Sequence, residues 1–436
     1  MSAFKPTHEG LAVASAGLLV LLALGLGADP QGGFDTAIHV AALPALGLAI
    51  WRWRTDQPSR WQMAMLAVSL AAIAIALLQL LPIPVGVYEN LPGRRQVIAD
   101  LRSAGLAPAY LPLSLDRWAT LRTLLALSTF TAMWMLCTTL RREARVRLVK
   151  LAIVAALPLV LLGFAQASLK RDTTGAMALF SNRNHFASLM AMLVPLALAA
   201  AREAAERENQ IRSILWLSTL VLLLLASALS FSRAGFALAC LALLATLWVN
   251  GAIRHATRST SVIAALAIAF VAIATLASDR LGARFNAGLG TDLRWQFLAN
   301  GQSVLASWLP WGSGFGTFPT VYGAAENMQS LGEFTGARYA HNEILQTGIE
   351  SGWPGLLVLA VFVGLLIAAA ASRLRHTSDA SMWARAAVIS VAVPLAHSLV
   401  DYPLRTFACS IVLALLVSIV LPSRRRSGQP AISPRQ

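Results

Sequence analysis

The residues whose types could do chemistry are a few arginines and one histidine set beside apolar segments. Arg233 lies in Leu229-Ser-Phe-Ser-Arg-Ala-Gly235, a tight turn between two apolar runs. Placing an arginine next to hydrocarbon costs about 2.5–3.5 kcal/mol on insertion scales, so an anionic partner is expected to offset it. Arg294 falls in the first turn of a predicted helix, next to Trp295. Arg183 and His185 sit in Phe180-Ser-Asn-Arg-Asn-His-Phe186, at the start of another apolar run. The planar guanidinium fork suits phosphate oxygens, with which it forms paired, charge-assisted hydrogen bonds. Arg183, Arg233 and Arg294 together would suit a lipid-linked diphosphate. Each also has a plainer reading: snorkelling at the headgroups for Arg233, a surface arginine for Arg294, and capping by Asn182 or Asn184 around Arg183.

His341, in Ala340-His-Asn-Glu-Ile-Leu345, is the candidate for proton transfer. It falls at the predicted start of a helix, where the macrodipole disfavours imidazolium. A neutral imidazole there can accept a proton from a sugar hydroxyl. Its plainer reading is a capping histidine. Asp401 ends a predicted span in His397-Ser-Leu-Val-Asp-Tyr-Pro-Leu-Arg405, with His397 on the same helix face at i, i+4. An ion pair with Arg405 is the structural alternative for that aspartate. The turn Trp311-Gly-Ser-Gly-Phe-Gly316 could bring backbone close to a phosphate, although no Gly-Lys-Ser/Thr follows to make a P-loop.

These residues need a scaffold, and composition says which kind. The 436 residues are 57% hydrophobic and only 13% charged, with a mean hydropathy of +0.64. Soluble domains carry about 25% charged residues. We therefore expect an all-α integral membrane protein. Twelve apolar runs approach the length of a bilayer span: 11–28, 34–51, 61–81, 118–140, 148–169, 185–201, 213–231, 234–250, 261–277, 353–371, 386–400 and 406–422. Alternate loops are far richer in Lys and Arg, which places the N-terminus and the Ser423-Arg-Arg-Arg426 tail in the cytoplasm. That bias accounts for the net charge of +15, so membrane lipid rather than nucleic acid is the expected partner. The first run reads as an uncleaved helix rather than a signal peptide.

The expected organisation is spans one to nine over 1–277, with an outer loop at 82–117 that is irregular apart from a short helix near 94–104. A large, partly helical periplasmic loop follows at 278–352, then spans ten to twelve at 353–422 and a basic tail at 423–436. The large loop is the one long segment that is not apolar, and it holds Arg280, Arg284, Arg294, Arg338 and His341. Within it, Asp292 is a plausible cap for a helix running to Leu309, with Trp295, Leu298, Leu305 and Leu309 on one stripe. The cysteines Cys137, Cys240 and Cys409 lie in apolar runs and set no metal-ligand spacing. No Asp-X-Asp, His-Glu-X-X-His or nucleotide fingerprint occurs, so no metal and no cofactor is expected. A transferase facing outward would need a pre-activated donor, for which a polyprenyl-diphosphate sugar is the obvious class.

The chain resembles the O-antigen ligase and polymerase family of polytopic transferases. The matching motifs are Phe231-Ser-Arg-Ala-Gly235, the Arg294-X-X-Phe297 helix leading into Trp308-Leu-Pro-Trp-Gly-Ser-Gly-Phe-Gly-Thr-Phe318, and Ala340-His-Asn-Glu-Ile-Leu-Gln346 with Gly348-Ile-Glu-Ser-Gly-Trp-Pro-Gly355. The resemblance implies a metal-independent, inverting glycan transferase of the inner membrane. In it, Arg233 and Arg294 would bind the departing undecaprenyl diphosphate and His341 would activate the acceptor hydroxyl. Arg183, His185, Arg338 and Asp401 are the expected substrate-binding residues. The acceptor would be lipid A-core or a growing polysaccharide. Two other readings stay open: a polysaccharide or lipid-linked glycan transporter (flippase), and a scaffold for polymer assembly.

Overall fold

The computed structural model describes residues 8–29, 33–55, 57–169, 175–250, 294–325, 337–375 and 382–422. It is an all-α protein in which the expected apolar runs that fall among the described residues are helices. In chain order these are α1 (His8–Leu26), α2 (Asp35–Thr55) and α3 (Arg60–Leu80). A short β-ribbon pairs β1 (Pro82–Pro84) with β2 (Tyr110–Pro112), and between them lie α4 (Val85–Tyr88) and α5 (Arg94–Ser103). Then follow α6 (Arg117–Thr138), α7 (Arg142–Leu169), α8 (Arg183–Glu206), α9 (Gln210–Leu229) and α10 (Arg233–Val249). The last part holds α11 (Arg294–Trp308), α12 (Phe318–Ala325), α13 (Glu343–Arg375), α14 (Met382–His397) and α15 (Phe407–Val420).

Among the described residues, seven helices are long and apolar enough to cross a membrane: α1, α3, α6, α7, α8, α9 and α13. Helices α10, α14 and α15 are apolar but shorter. The expected span 34–51 is covered by α2, which carries Asp35, His39, Arg52 and Arg54 and is not among the seven. The expected span 261–277, Asp292, Arg280 and Arg284 lie outside the described residues.

Helix α8 is the hub. In its apolar window 94% of residues are buried inside the protein, against 17% for α13. It packs against α7, α9, α10 and α14. Alanines at 187, 191, 197, 199, 200 and 201 keep its surface thin, so that neighbours approach closely. At Gly235 of α10 an added Cβ would stand only 2.4 Å from the Ala187 Cβ, which fixes the first turns of α8 and α10 against each other.

A second, smaller core lies outside the bundle. It is built from Phe297, Val304, Trp308, Phe318, Val321, Tyr322, Leu345 and Ile349, with Val97 and Leu115 packed on its edge. The buried stripe of α11 is Phe297, Gly301, Val304 and Trp308, while Leu298, Leu305 and Leu309 are half-buried beside it. The expected leucine stripe is thus turned by one residue. The reason is Trp308, whose ring packs on Gly93 and under the guanidinium of Arg94.

Arg94 is fully buried, donating to the carbonyls of Pro92, Leu113 and Gly312 at 3.1, 2.7 and 2.7 Å. It joins the 82–117 segment to the glycine turn. The short helix expected near 94–104 is present as α5; the ribbon and this arginine clip replace the irregular lid around it.

Candidate functional site

The first turn of α8 and the turn between α14 and α15 meet at Asp401. Its carboxylate is fully buried, with donors arranged around it. Asn184 Nδ2 donates to Oδ2 at 2.5 Å and the Tyr402 amide donates to Oδ1 at 2.9 Å. His185 Nε2 lies 3.2 Å from Oδ1, and Asn182 Nδ2 donates to the same oxygen at 3.4 Å. Burial alone would raise this carboxyl's pKa. The approach of His185 and His341 to the carboxylate outweighs it and holds the group well below the usual carboxylate range.

His341 reaches the same carboxylate from the far side. Its Nδ1 stands 3.4 Å from Asp401 Oδ1, an approach that stops short of a formed hydrogen bond. Its ring stacks on Phe297 at 5.8 Å and meets Tyr402 edge-on at 4.9 Å. The backbone is left-handed at His341 (φ 51°), unusual for a residue with a Cβ. That conformation lets the chain enter α13, whose first turn is fixed by its neighbours. Asn342 Oδ1 accepts from the Leu345 amide at 2.9 Å, and Gln346 Oε1 accepts from the Ala340 amide at 3.0 Å. The Glu343 amide donates to Ser398 O at 2.9 Å, tying α13 to the end of α14. The histidine side chain keeps 23% exposure, whereas the side chains of Asp401 and His185 keep none.

Helix α14 ends at His397, and Asp401 lies in the following turn, donating its amide to His397 O as i, i+4 residues of a helical turn do. The alternative of an ion pair between Asp401 and Arg405 is corrected. That arginine donates to both oxygens of Glu343 at 2.9 and 3.1 Å, and stands 3.3 Å from the fully buried Glu350. Burial works against the guanidinium, but the two glutamates outweigh it and raise its pKa.

The glycine turn also differs from its expected use. Gly312, Gly314 and Gly316 all have positive φ (80°, 116° and 77°), as a close backbone approach requires. What approaches is protein. The Gly312, Ser313 and Gly314 amides donate to the carbonyls of Trp308, Ile349 and Glu350, and the Phe315 amide to Gln79 Oε1. Those N–H groups are engaged within the fold, leaving no cradle for a phosphate there.

Arg183, Arg233 and Arg294 each open a helix. Arg183 opens α8, two residues before His185, and is half-buried. Arg233 opens α10 and is half-buried too. The turn before it is fixed by Phe231 at φ 53° and by Ser232 Oγ, which accepts from the Gly235 amide. The Gly235–Ala187 contact brings this turn beside the start of α8. Arg294 opens α11, one helical turn before Phe297, the ring stacked on His341. Arg338 is exposed, just ahead of Tyr339, which stacks on Tyr402 at 4.0 Å. Among the described residues no group of three or more His, Cys, Asp and Glu side chains is placed to share a metal ion.

Sequence reasoning named Phe297 only within a motif and Arg405 only as a partner for Asp401, and it missed Tyr402 and the joining of Arg405 to Glu343 and Glu350. Tyr402 and Arg405 flank Pro403 just beyond Asp401, so a search for polar residues at the ends of neighbouring apolar runs would have found them.

A family model described as O-antigen ligase matches residues 218–360, which take in Arg233, the α11 start and His341. No curated protein matches the chain. That match, set in an all-α membrane fold, supports membrane glycan transfer of the O-antigen ligase or polymerase type.

Proposed function

We propose that the protein moves a glycan from an undecaprenyl-diphosphate carrier to a sugar hydroxyl on the periplasmic face of the inner membrane. The observation that carries this reading is the convergence of His341, Asp401 and His185 at the helix ends where Arg183 and Arg233 begin. Asp401 accepts the Nδ1–H of His341, which leaves Nε2 to take the acceptor hydroxyl proton. The long apo contact tightens when substrate closes the site. The acceptor oxygen then bonds to the anomeric carbon as the bond from that carbon to the diphosphate oxygen breaks. Direct displacement inverts the anomeric centre. The negative charge left on the carrier diphosphate is met by Arg233 and Arg294, so the step needs no metal. Arg183 and Arg338 extend the cationic rim. His185 and Asp401 act through His341 as positioning residues, because both are fully buried.

The test is transfer from a purified lipid-linked glycan to acceptor, with folding followed by size-exclusion profile. His341→Ala is expected to lower the rate about 10²–10⁴-fold. Arg233→Ala and Arg294→Ala are each expected to lower it about 10²–10³-fold. Normal transfer in all three folded variants would sink the mechanism. Ligase and polymerase separate in a deletion strain: the first loss leaves lipid-linked polymer unattached, the second leaves single repeats.

A further inference from the structure

Helices α8, α10 and α14 each have one end at the Asp401 cluster. Their other ends, with the start of α7, enclose a cleft of about 510 Å³. Glu203, on its wall, lies about 27 Å along α8 from His185, at 1.5 Å per residue. This is the opposite membrane face, with no residue in common with the proposed site.

The cleft is lined by Arg142, Arg202, Arg207 and Arg385 against two acids, Glu203 and Glu206. Glu203 is already matched: Lys150 Nζ lies 2.6 Å from it and Arg207 donates to it at 2.8 Å. Among the described residues, no carboxylate forms an ion pair with Arg142 or Arg202. The wall therefore carries excess positive charge. A second observation points the same way. Trp383, only 4% exposed, lines the cleft, and its indole Nε1–H has no hydrogen-bond partner. A buried donor left unmade costs about 1–3 kcal/mol. Its ring also lies 5.5 Å from Lys150 Nζ.

We propose that this cleft holds the phosphate of an anionic membrane-lipid headgroup. Arg202 and Arg385 grip its oxygens and the Trp383 Nε1–H supplies a neutral donor. A lipid source fits better than a free anion because the cleft opens between the ends of spanning helices. Met382 and Trp383 are its apolar lining, and Trp248, 69% exposed, lies two residues before Asn250 on the cleft wall, an aromatic suited to the headgroup layer.

The test uses the full-length protein, delipidated in neutral detergent, with thermal unfolding followed against added lipid. Phosphatidylglycerol micelles are expected to raise Tm saturably, while phosphatidylcholine micelles and inorganic phosphate leave it unchanged. Arg202→Gln with Arg385→Gln is expected to weaken the apparent affinity about 25-fold, at about five-fold per cation. If the double variant fails to fold, Arg202→Gln alone and Trp383→Phe, which keeps the ring and loses only the N–H, are each expected to weaken it about five-fold. An equal response to phosphatidylcholine, or an undiminished response in the variants, overturns the proposal. So does inorganic phosphate reproducing the whole shift, which would make this a soluble-anion site.

Discussion

Two ionic clusters lie four residues apart on the same turn, and they are built to opposite rules. Arg405 is saturated: both oxygens of Glu343 and one of the buried Glu350 surround its guanidinium, and Tyr339 lies under it at 5.7 Å. Gln346 Nε2 donates to the other oxygen of Glu350 at 2.9 Å. Asp401 has amides and imidazoles for partners instead of a permanent cation, and its contact to His341 is left long. The first cluster is organised to hold α13 against the α14–α15 turn. The second leaves the His341 contact unclosed, with that side chain 23% exposed. Buried charge that is fully answered stabilises; charge answered by groups able to shift a proton is available for chemistry.

The largest effect that would break this contrast is on stability, at Arg405. Arg405→Ala strands Glu350, 0% exposed, and removes the partner of Glu343. Removing one member of a buried pair costs about 3–5 kcal/mol, so a lowered Tm is expected. An unchanged Tm with transfer abolished would mean that Arg405, rather than the arginines at the helix starts, meets the substrate's charge.

A second substitution sharpens the contrast at the glycine turn. Gly314 has φ 116°, and an added Cβ would stand 2.3 Å from Ser114 Oγ and 2.7 Å from its Cα. Gly314→Ala is expected to cost about 1–3 kcal/mol through strain and overpacking. It should also speed proteolysis within 82–117, because the turn is what that segment docks on. Full stability with lost transfer would restore the turn to the substrate.

The helices were legible because a bilayer demands long apolar runs, and hydropathy reads such runs directly. The start of α13 was legible too: Asn342 caps it, and His341 stands just outside. What the sequence hides is who answers whom. Asp401 and Arg405 sit at the spacing of an ion pair, yet the arginine takes Glu343 and Glu350 from 62 and 55 residues earlier, and the aspartate takes Asn184 and His185 from over 200 residues earlier. Such choices are made by the packing of α8, α13 and α14, which local pattern does not encode. The β-ribbon was invisible for another reason: its strands are three residues each and rich in proline, too short to show a period of two.

The smallest stability effect, and the most discriminating one, is expected at His341 itself. A residue with a Cβ in the left-handed region costs about 1–2 kcal/mol, and asparagine tolerates that region better than most. Against this relief, His341→Asn gives up the stacking on Phe297 and the edge contact with Tyr402, worth about 0.5–1.5 kcal/mol for an aromatic pair. The two terms nearly cancel, so Tm should move little, by the equivalent of less than about 1 kcal/mol. Transfer should nevertheless fall about 10²–10⁴-fold, since asparagine cannot take the proton. A histidine kept in a strained backbone, at no gain in stability, is retained for its chemistry. A large drop in Tm for His341→Asn would instead make His341 another saturated structural group like Arg405, and the contrast between the two clusters would collapse.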